Sequence, residues 1–229
     1  MIQNIRDLGG IRTGIGKTIR HGCLVRSANL AQAEAQDLEG ITAVIDLRTS
    51  GEREEKPDRT CGRQYLALPV FEEITAGISH EEGAESNGVP NMRFLYGWLV
   101  RERRESFKTI LRAVMDHDYA SGAVLWHCSE GKDRCGITTA LILEMLGVDK
   151  TVIMEDYLKT NEINLPKAES IRERLRPARG AEFAESVYRA YIADREYLEA
   201  AWNAMGNDYI SQLGITDEMI DAFRAKVLE

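Results

Sequence analysis

The chain has 229 residues, 44% of them hydrophobic and 29% charged, with 29 Lys and Arg against 37 Asp and Glu for a formal charge of -8. This is an ordinary globular mix, long enough for one sizeable core, and its acidic balance argues against a general affinity for nucleic acid or anionic membrane. No run approaches the ~20 apolar residues of a membrane helix, so no integral membrane segment is expected.

Met1 to Gly10 carries Arg6 and Asp7 and no apolar stretch, so no secretory signal is expected and a cytoplasmic location is. The four cysteines, Cys23, Cys61, Cys128 and Cys135, form no CxxC pair and complete no zinc pattern with the histidines. That usage suits a reducing compartment, and no metal or other cofactor is expected.

In chain order, Asn4 to Arg26 has glycines at 9, 10, 14, 16 and 22 between short apolar pieces, which predicts turns and small strands. Ala31 to Glu39 predicts a short helix capped by Asn29. Ile41 to Leu47 is a β-branched apolar run suited to a buried parallel strand. Gln64 to Val70 predicts a second strand, ended near Pro69. Phe71 to Asn91 is polar, acidic and glycine-containing, and predicts a long surface loop. Met92 to His117 has helical spacing, as two helices broken around Arg103 to Ser106. Ala123 to Trp126 is a short apolar strand. Cys135 to Leu146 places apolar residues at 137, 141, 142, 145 and 146, a core-facing helix with Gly147 as its C-cap. From Lys150 onward the pattern is helical, with breaks at Pro166, Pro177 to Gly180, Gly206 and Gly214. Strands alternating with helices imply an α/β fold with a central, mostly parallel sheet flanked by helices. Residues 1–150 form the expected core and 151–229 a helical extension packed on it.

One segment stands apart: Ala123 to Leu143, which reads strand, loop, helix. Cys128 falls where the strand ends, and Arg134 follows after five residues. A short loop entering a helix can aim its backbone N–H groups into one concave nest, and the helix N-terminus adds about half a positive charge. A phosphate dianion fits such a nest, and Arg134 can close it with a planar, two-pronged contact. The same field favours thiolate over thiol, so Cys128 would be ionised at neutral pH and able to attack phosphorus. Gly131 permits a turn that a Cβ could block, and Gly136 lets the helix pack close to the sheet. His127 is expected to orient the loop rather than act as a base. The plain alternative is a cysteine that serves as a small buried hydrophobe.

His127-Cys128-Ser129-Glu130-Gly131-Lys132-Asp133-Arg134 resembles the signature loop of cysteine-based protein tyrosine phosphatases, and its Gly-Lys-Asp-Arg form resembles a bacterial branch acting on phosphotyrosine and phosphoinositides. Asn4-Ile5-Arg6-Asp7-Leu8-Gly9-Gly10 and Ile45-Asp46-Leu47-Arg48, followed by Glu52 and Arg53, are similar to two further motifs of that branch, with Ile5 in place of an aromatic. The resemblance implies two-step phosphoryl transfer through a phosphocysteine, without metal, on phosphorylated protein or phosphoinositide, releasing inorganic phosphate. It implies Cys128 as nucleophile, Arg134 as oxyanion ligand and Asp133 as general acid, with Asp46 as a second candidate acid. Ser129, Glu130, Gly131, Lys132, Cys135, Gly136, His127, Asp46 and Arg48 are the expected substrate-binding set, and Lys132 would meet a second phosphate or else stand in solvent.

The chain departs from the pattern at Cys135, where a Ser or Thr normally follows the arginine. A thiol is a poorer donor than a hydroxyl, so slower breakdown of the phosphoenzyme is expected. Cys135 is also a candidate redox partner of Cys128. The acidic residues Glu72, Glu73, Glu81 and Glu82, the basic Arg101, Arg103 and Arg104, and Asp116-His117-Asp118 all read as solvated. The helical tail reads either as a lid or as core packing. A phosphate-binding module without turnover and a rhodanese-type sulfur transferase are the competing readings; the arginine at five residues' interval favours phosphate over sulfur.

Overall fold

A computed structural model describes residues 1–72 and 88–229. Glu73, Glu81, Glu82 and most of the expected long loop lie outside the described residues.

Five strands form one sheet: β1 (Arg6–Asp7), β2 (Leu24–Ser27), β3 (Ile41–Asp46), β4 (Gln64–Ala67) and β5 (Ala123–His127), in the order β1-β2-β5-β3-β4. β1 runs antiparallel to β2, and all other pairs are parallel. β5 lies at the centre and every residue in it is buried. Its Val124 and Trp126, with Cys128 just beyond, face the main core, while Ala123 and Leu125 face a second, smaller one. The register slips between Ile41 and Ala43, so Ile41 joins Val44 in the smaller core while Ala43 and Ile45 face the larger. β4 is shorter than the predicted strand and largely exposed, as an edge strand can be.

The helices are α1 (Ser50–Glu55), α2 (Met92–Glu102), α3 (Arg104–Asp116), α4 (Asp133–Met145), α5 (Lys150–Lys159), α6 (Asn161–Arg179), α7 (Ala181–Tyr191), α8 (Arg195–Met205), α9 (Tyr209–Gln212) and α10 (Asp217–Val227). α4 follows β5 and is buried almost all round. It ends with Gly147 at φ +77. There the Gly147 and Val148 N–H groups bond the Glu144 and Leu143 carbonyls, which closes a Schellman cap. Tyr197, Leu198, Ala201 and Met205 of α8 and Phe223 and Val227 of α10 share the main core with the sheet.

Several expectations fail locally. The helix predicted over Ala31 to Glu39 is a single 3-10 turn, Ala35–Leu38. Asn29 accepts from the Ala31 N–H at 3.3 Å but lies ahead of the turn, and its Nδ2 donates to the Ser129 carbonyl at 2.9 Å. Pro166 does not break α6, which runs through it and through Pro177 to end at Arg179, so the expected break over 177–180 falls at Gly180. Each proline removes one ladder hydrogen bond, but the carbonyls left over belong to the exposed Glu162 and Glu173, where water can satisfy them. Arg103 and Arg104 are not simply solvated: their guanidinium groups lie 4.6 Å and 5.2 Å over the Trp98 and Tyr209 rings. His117 turns inward to within 3.0 Å of the Gly122 carbonyl, and Glu72 accepts from the Ser50 N–H at 2.7 Å.

Candidate active site

The loop between β5 and α4 is shaped from outside. Asn29 takes the Ser129 carbonyl. Asn4 Nδ2 donates to the Glu130 and Gly131 carbonyls at 3.1 and 3.0 Å, and Arg26 donates to the Gly131 carbonyl at 2.7 Å. A trans peptide points its N–H opposite to its C=O, and no cis bond is present among the described residues. Pulling three successive carbonyls outward therefore turns the N–H groups of Glu130, Gly131 and Lys132 toward the loop's interior. This gives the Asn4–Arg6 motif a physical role. Asn4 sits at φ +54, Arg6 bonds its side-chain oxygen, and Arg6 and Arg26 both pair with Asp156 of α5 at 2.7 Å.

Gly131 has φ +67, and a Cβ there would stand 2.7 Å from the Ser27 backbone. No L side chain suits both constraints. A Cβ at Gly136 would lie 2.9 Å from the Tyr157 ring. The close approach that Gly136 allows is therefore to α5 and not to the sheet, as the sequence suggested.

Cys128 is 2% exposed, at the base of the loop. Its thiol is lowered from an ordinary 9.0 to about 5. The largest cause is a hydrogen bond from the Cys135 thiol; Arg134's charge and the Cys135 N–H add to it, against burial and the Asp133 charge. Cys135 itself is buried and pushed well above the usual thiol range by burial and by the neighbouring sulfur, so it stays a neutral donor. Its hydrogen has a second acceptor in the Ser27 carbonyl at 3.6 Å.

Arg134 extends both terminal amino groups to Glu52, at 2.6 and 2.7 Å. Burial would raise the Glu52 carboxyl, but the Arg134 contacts outweigh it and hold the group at about 2. Glu52 also bonds the Ser129 hydroxyl and closes the capping box of α1 with Thr49. Both prongs of the guanidinium are thus occupied, and the Nε–H edge is the part left to meet an anion. The Phe71 ring lies 5.3 Å from the guanidinium.

Several expected site residues lie elsewhere. Asp46 is fully buried and bonded by Arg48 through Nε and Nη2 and by the Tyr65 hydroxyl at 2.7 Å. Burial opposes ionisation, but these donors and His127 hold the carboxyl well below the usual range, so it carries no proton to give. Arg48 is 1% exposed and bridges Asp46 to Asp58 at 2.7 and 2.6 Å. Asp46 and Arg48 therefore form a brace under the site rather than a substrate-binding surface. His127 joins it, with Nε2 3.0 Å from Asp58 Oδ2 and Nδ1 3.4 Å from the Cys128 carbonyl. Asp46, Asp58 and His127 are the one metal-like cluster among the described residues. Arg48 already bonds both carboxylates and offsets one of their two charges.

Lys132 is neither in solvent nor facing a second phosphate. It is 1% exposed, and its Nζ bonds the Ala190 and Ile192 carbonyls at the end of α7. Glu130 turns out of the loop to Lys167 of α6 at 2.7 Å. Asp133 begins α4, and its Oδ1 accepts from the Tyr96 hydroxyl at 2.7 Å. Sequence reasoning missed Arg26, Asn29, Asp58, Tyr96 and Asp156, whose partners are distant in the chain. Glu52 carried a readable signal in the Thr49-x-x-Glu52 capping box.

A depressed thiol at the foot of a strand–loop–helix turn, with an arginine at its rim and a parallel sheet behind it, suits a hydrolase of phosphate monoesters. The chain belongs to the tyrosine phosphatase family, whose model matches residues 1–229. A Cupriavidus necator protein named as a tyrosine-protein phosphatase is 31% identical over 219 residues, covering 89% of this chain and 76% of its own. The triple specificity protein phosphatase PtpB of Mycobacterium tuberculosis is 28% identical over 268 residues, covering 98% and 96%.

Proposed function

We propose that the protein hydrolyses phosphotyrosine, and phosphoserine and phosphothreonine more slowly, through a phosphocysteine at Cys128. The Cys128 sulfur attacks phosphorus in line with the ester oxygen. The P–O bond breaks as Asp133 passes its proton to the leaving oxygen. The Asp133 carboxylate then takes a proton from water, whose oxygen attacks phosphorus, and the thiolate departs with the Cys135 thiol as its hydrogen-bond donor. The inward amides of residues 130–132, the N-terminus of α4 and the Arg134 Nε–H bind the equatorial oxygens throughout. Glu52 holds Arg134 in place.

The Gly-Lys-Asp-Arg form supports membership of the bacterial tyrosine and phosphoinositide branch. Lys132, however, is committed to the end of α7, which favours monophosphate esters over polyphosphorylated inositides. The observation that carries this reading is the Cys128 thiol at about 5 beneath inward-turned amides.

Hydrolysis of p-nitrophenyl phosphate between pH 5 and 7 tests it, with Cys128→Ser as control. Release by the wild type and none by the variant is the expected result. No Cys128-dependent release would leave a phosphate-binding module.

A further inference from the structure

The Asp133 carboxyl is held by one oxygen. Its Oδ1 accepts from the Tyr96 hydroxyl at 2.7 Å and lies 3.2 Å from Lys132 Nζ. Its Oδ2 has no protein partner among the described residues. Tyr96 is fully buried, and its hydroxyl lies 2.7 Å from that of Tyr157, which is also buried. Their rings meet edge to face with centroids 6.2 Å apart, so neither phenol can swing away without breaking core packing. Burial and the nearby Asp133 charge push both phenols well above their ordinary range, which keeps them as O–H donors.

Each phenol has one hydrogen to give. The Tyr157 hydroxyl has Tyr96 as its partner, and the Asp133 Oδ1 also faces the Lys132 ammonium across an ion pair. The consistent direction is Tyr157 O–H to Tyr96 oxygen, and Tyr96 O–H to Asp133 Oδ1. An oxygen that already accepts from a phenol and faces a positive charge is a poor seat for the acid's own proton. That leaves Oδ2, which has no protein partner among the described residues, as the place for a transferable proton. We infer that Tyr96, backed by Tyr157, is a positioning residue: it clamps Asp133 by Oδ1, places the transferable proton on Oδ2, and aims it at the leaving oxygen. The inference rests on Asp133 being the general acid.

The test compares two aryl esters. Phenyl phosphate has a basic leaving group that needs a proton, and 2,4-dinitrophenyl phosphate does not. In a two-step reaction kcat/KM reports phosphoenzyme formation, the step that Asp133 assists. For Tyr96→Phe, kcat/KM on phenyl phosphate should fall about tenfold, the effect of one hydrogen bond on a transition state. On the dinitrophenyl ester it should fall less than about twofold, and inhibition by inorganic phosphate should not change. Tyr157→Phe should show a smaller loss of the same kind. A purely structural role would lower both esters together and weaken phosphate inhibition.

Asp133→Asn separates this inference from the reading beneath it. If Asp133→Asn loses phenyl phosphate selectively and Tyr96→Phe does not, the positioning role is overturned alone. If Asp133→Asn shows no selectivity, Asp133 is not the acid and both fall. In the Asp133→Asn background, adding Tyr96→Phe should widen the gap between the esters no further. Should Tyr96→Phe not fold, Tyr157→Phe decides, since it leaves Tyr96 in place: a selective loss supports the clamp, and equal or absent losses overturn it.

Discussion

The account of Cys128 can be tested through the thiol's own titration. Going from 9.0 to about 5 spans about four pH units, or about 5 kcal/mol in favour of the thiolate. At pH 7 about 99% of Cys128 should be ionised. The thiolate's ultraviolet absorbance, taken as wild type minus Cys128→Ser, should rise with a midpoint near 5. The largest cause is the Cys135 hydrogen bond, and a bond to a charged group is worth ~1.5–3 kcal/mol. Cys135→Ala should therefore move the midpoint up by about one to two pH units, whereas Cys135→Ser keeps a donor and should not raise it. The sign carries over to stability. The folded value lies below the unfolded one, so the thiolate's contribution is complete above pH 9, declines as pH falls, and is gone below about 5. The stability difference between wild type and Cys128→Ser should accordingly grow from pH 5 to pH 9. A midpoint near the ordinary thiol value of 9.0, or one that Cys135→Ala leaves in place, would refute the reasoning.

Gly131→Ala places a Cβ 2.7 Å from the Ser27 backbone at a positive φ, and should cost about 2 kcal/mol or more in urea denaturation; a loss under about 0.5 kcal/mol would contradict the close approach. Asn4→Ala releases the Glu130 and Gly131 carbonyls, so inhibition by inorganic phosphate should weaken about tenfold; unchanged inhibition would remove Asn4 from the shaping of the nest. Cys135→Ser supplies a better donor to the departing sulfur, so kcat should rise and the pre-steady-state burst shrink, while no change in either would reject a role for Cys135 in phosphoenzyme breakdown.

What could be read from the sequence was local. The strand, the five-residue loop and the helix are contiguous, and strand burial, the turn glycine and helix entry each leave a mark within a few residues. Cys128, Arg134 and Gly131 were found that way, and so was the parallel sheet, because Ile41–Leu47 is apolar on both faces. The loop's shape depends instead on partners more than a hundred residues away, such as Asn4 and Arg26 against Gly131. Nothing within a window of sequence announces these contacts. Lys132 was misread for a related reason: a lysine in a polar loop looks solvated until α7 brings two carbonyls to it. Asp46 was misread because its position at a strand end suggests a site, whereas Arg48, two residues on, folds back to seal it. Pro166 misled because proline's cost depends on whether the freed carbonyl can reach water, which the sequence does not show.

The central claim is that the Cys128 sulfur forms the bond to phosphorus. The most direct measurement is mass spectrometry of peptides from enzyme quenched in acid during turnover of phenyl phosphate, with Cys128→Ser alongside. The account predicts one phosphoryl group on the Cys128 peptide of the wild type and none on the variant's. Turnover without any phosphorylated Cys128 peptide, or a phosphoryl group on another residue, would contradict it.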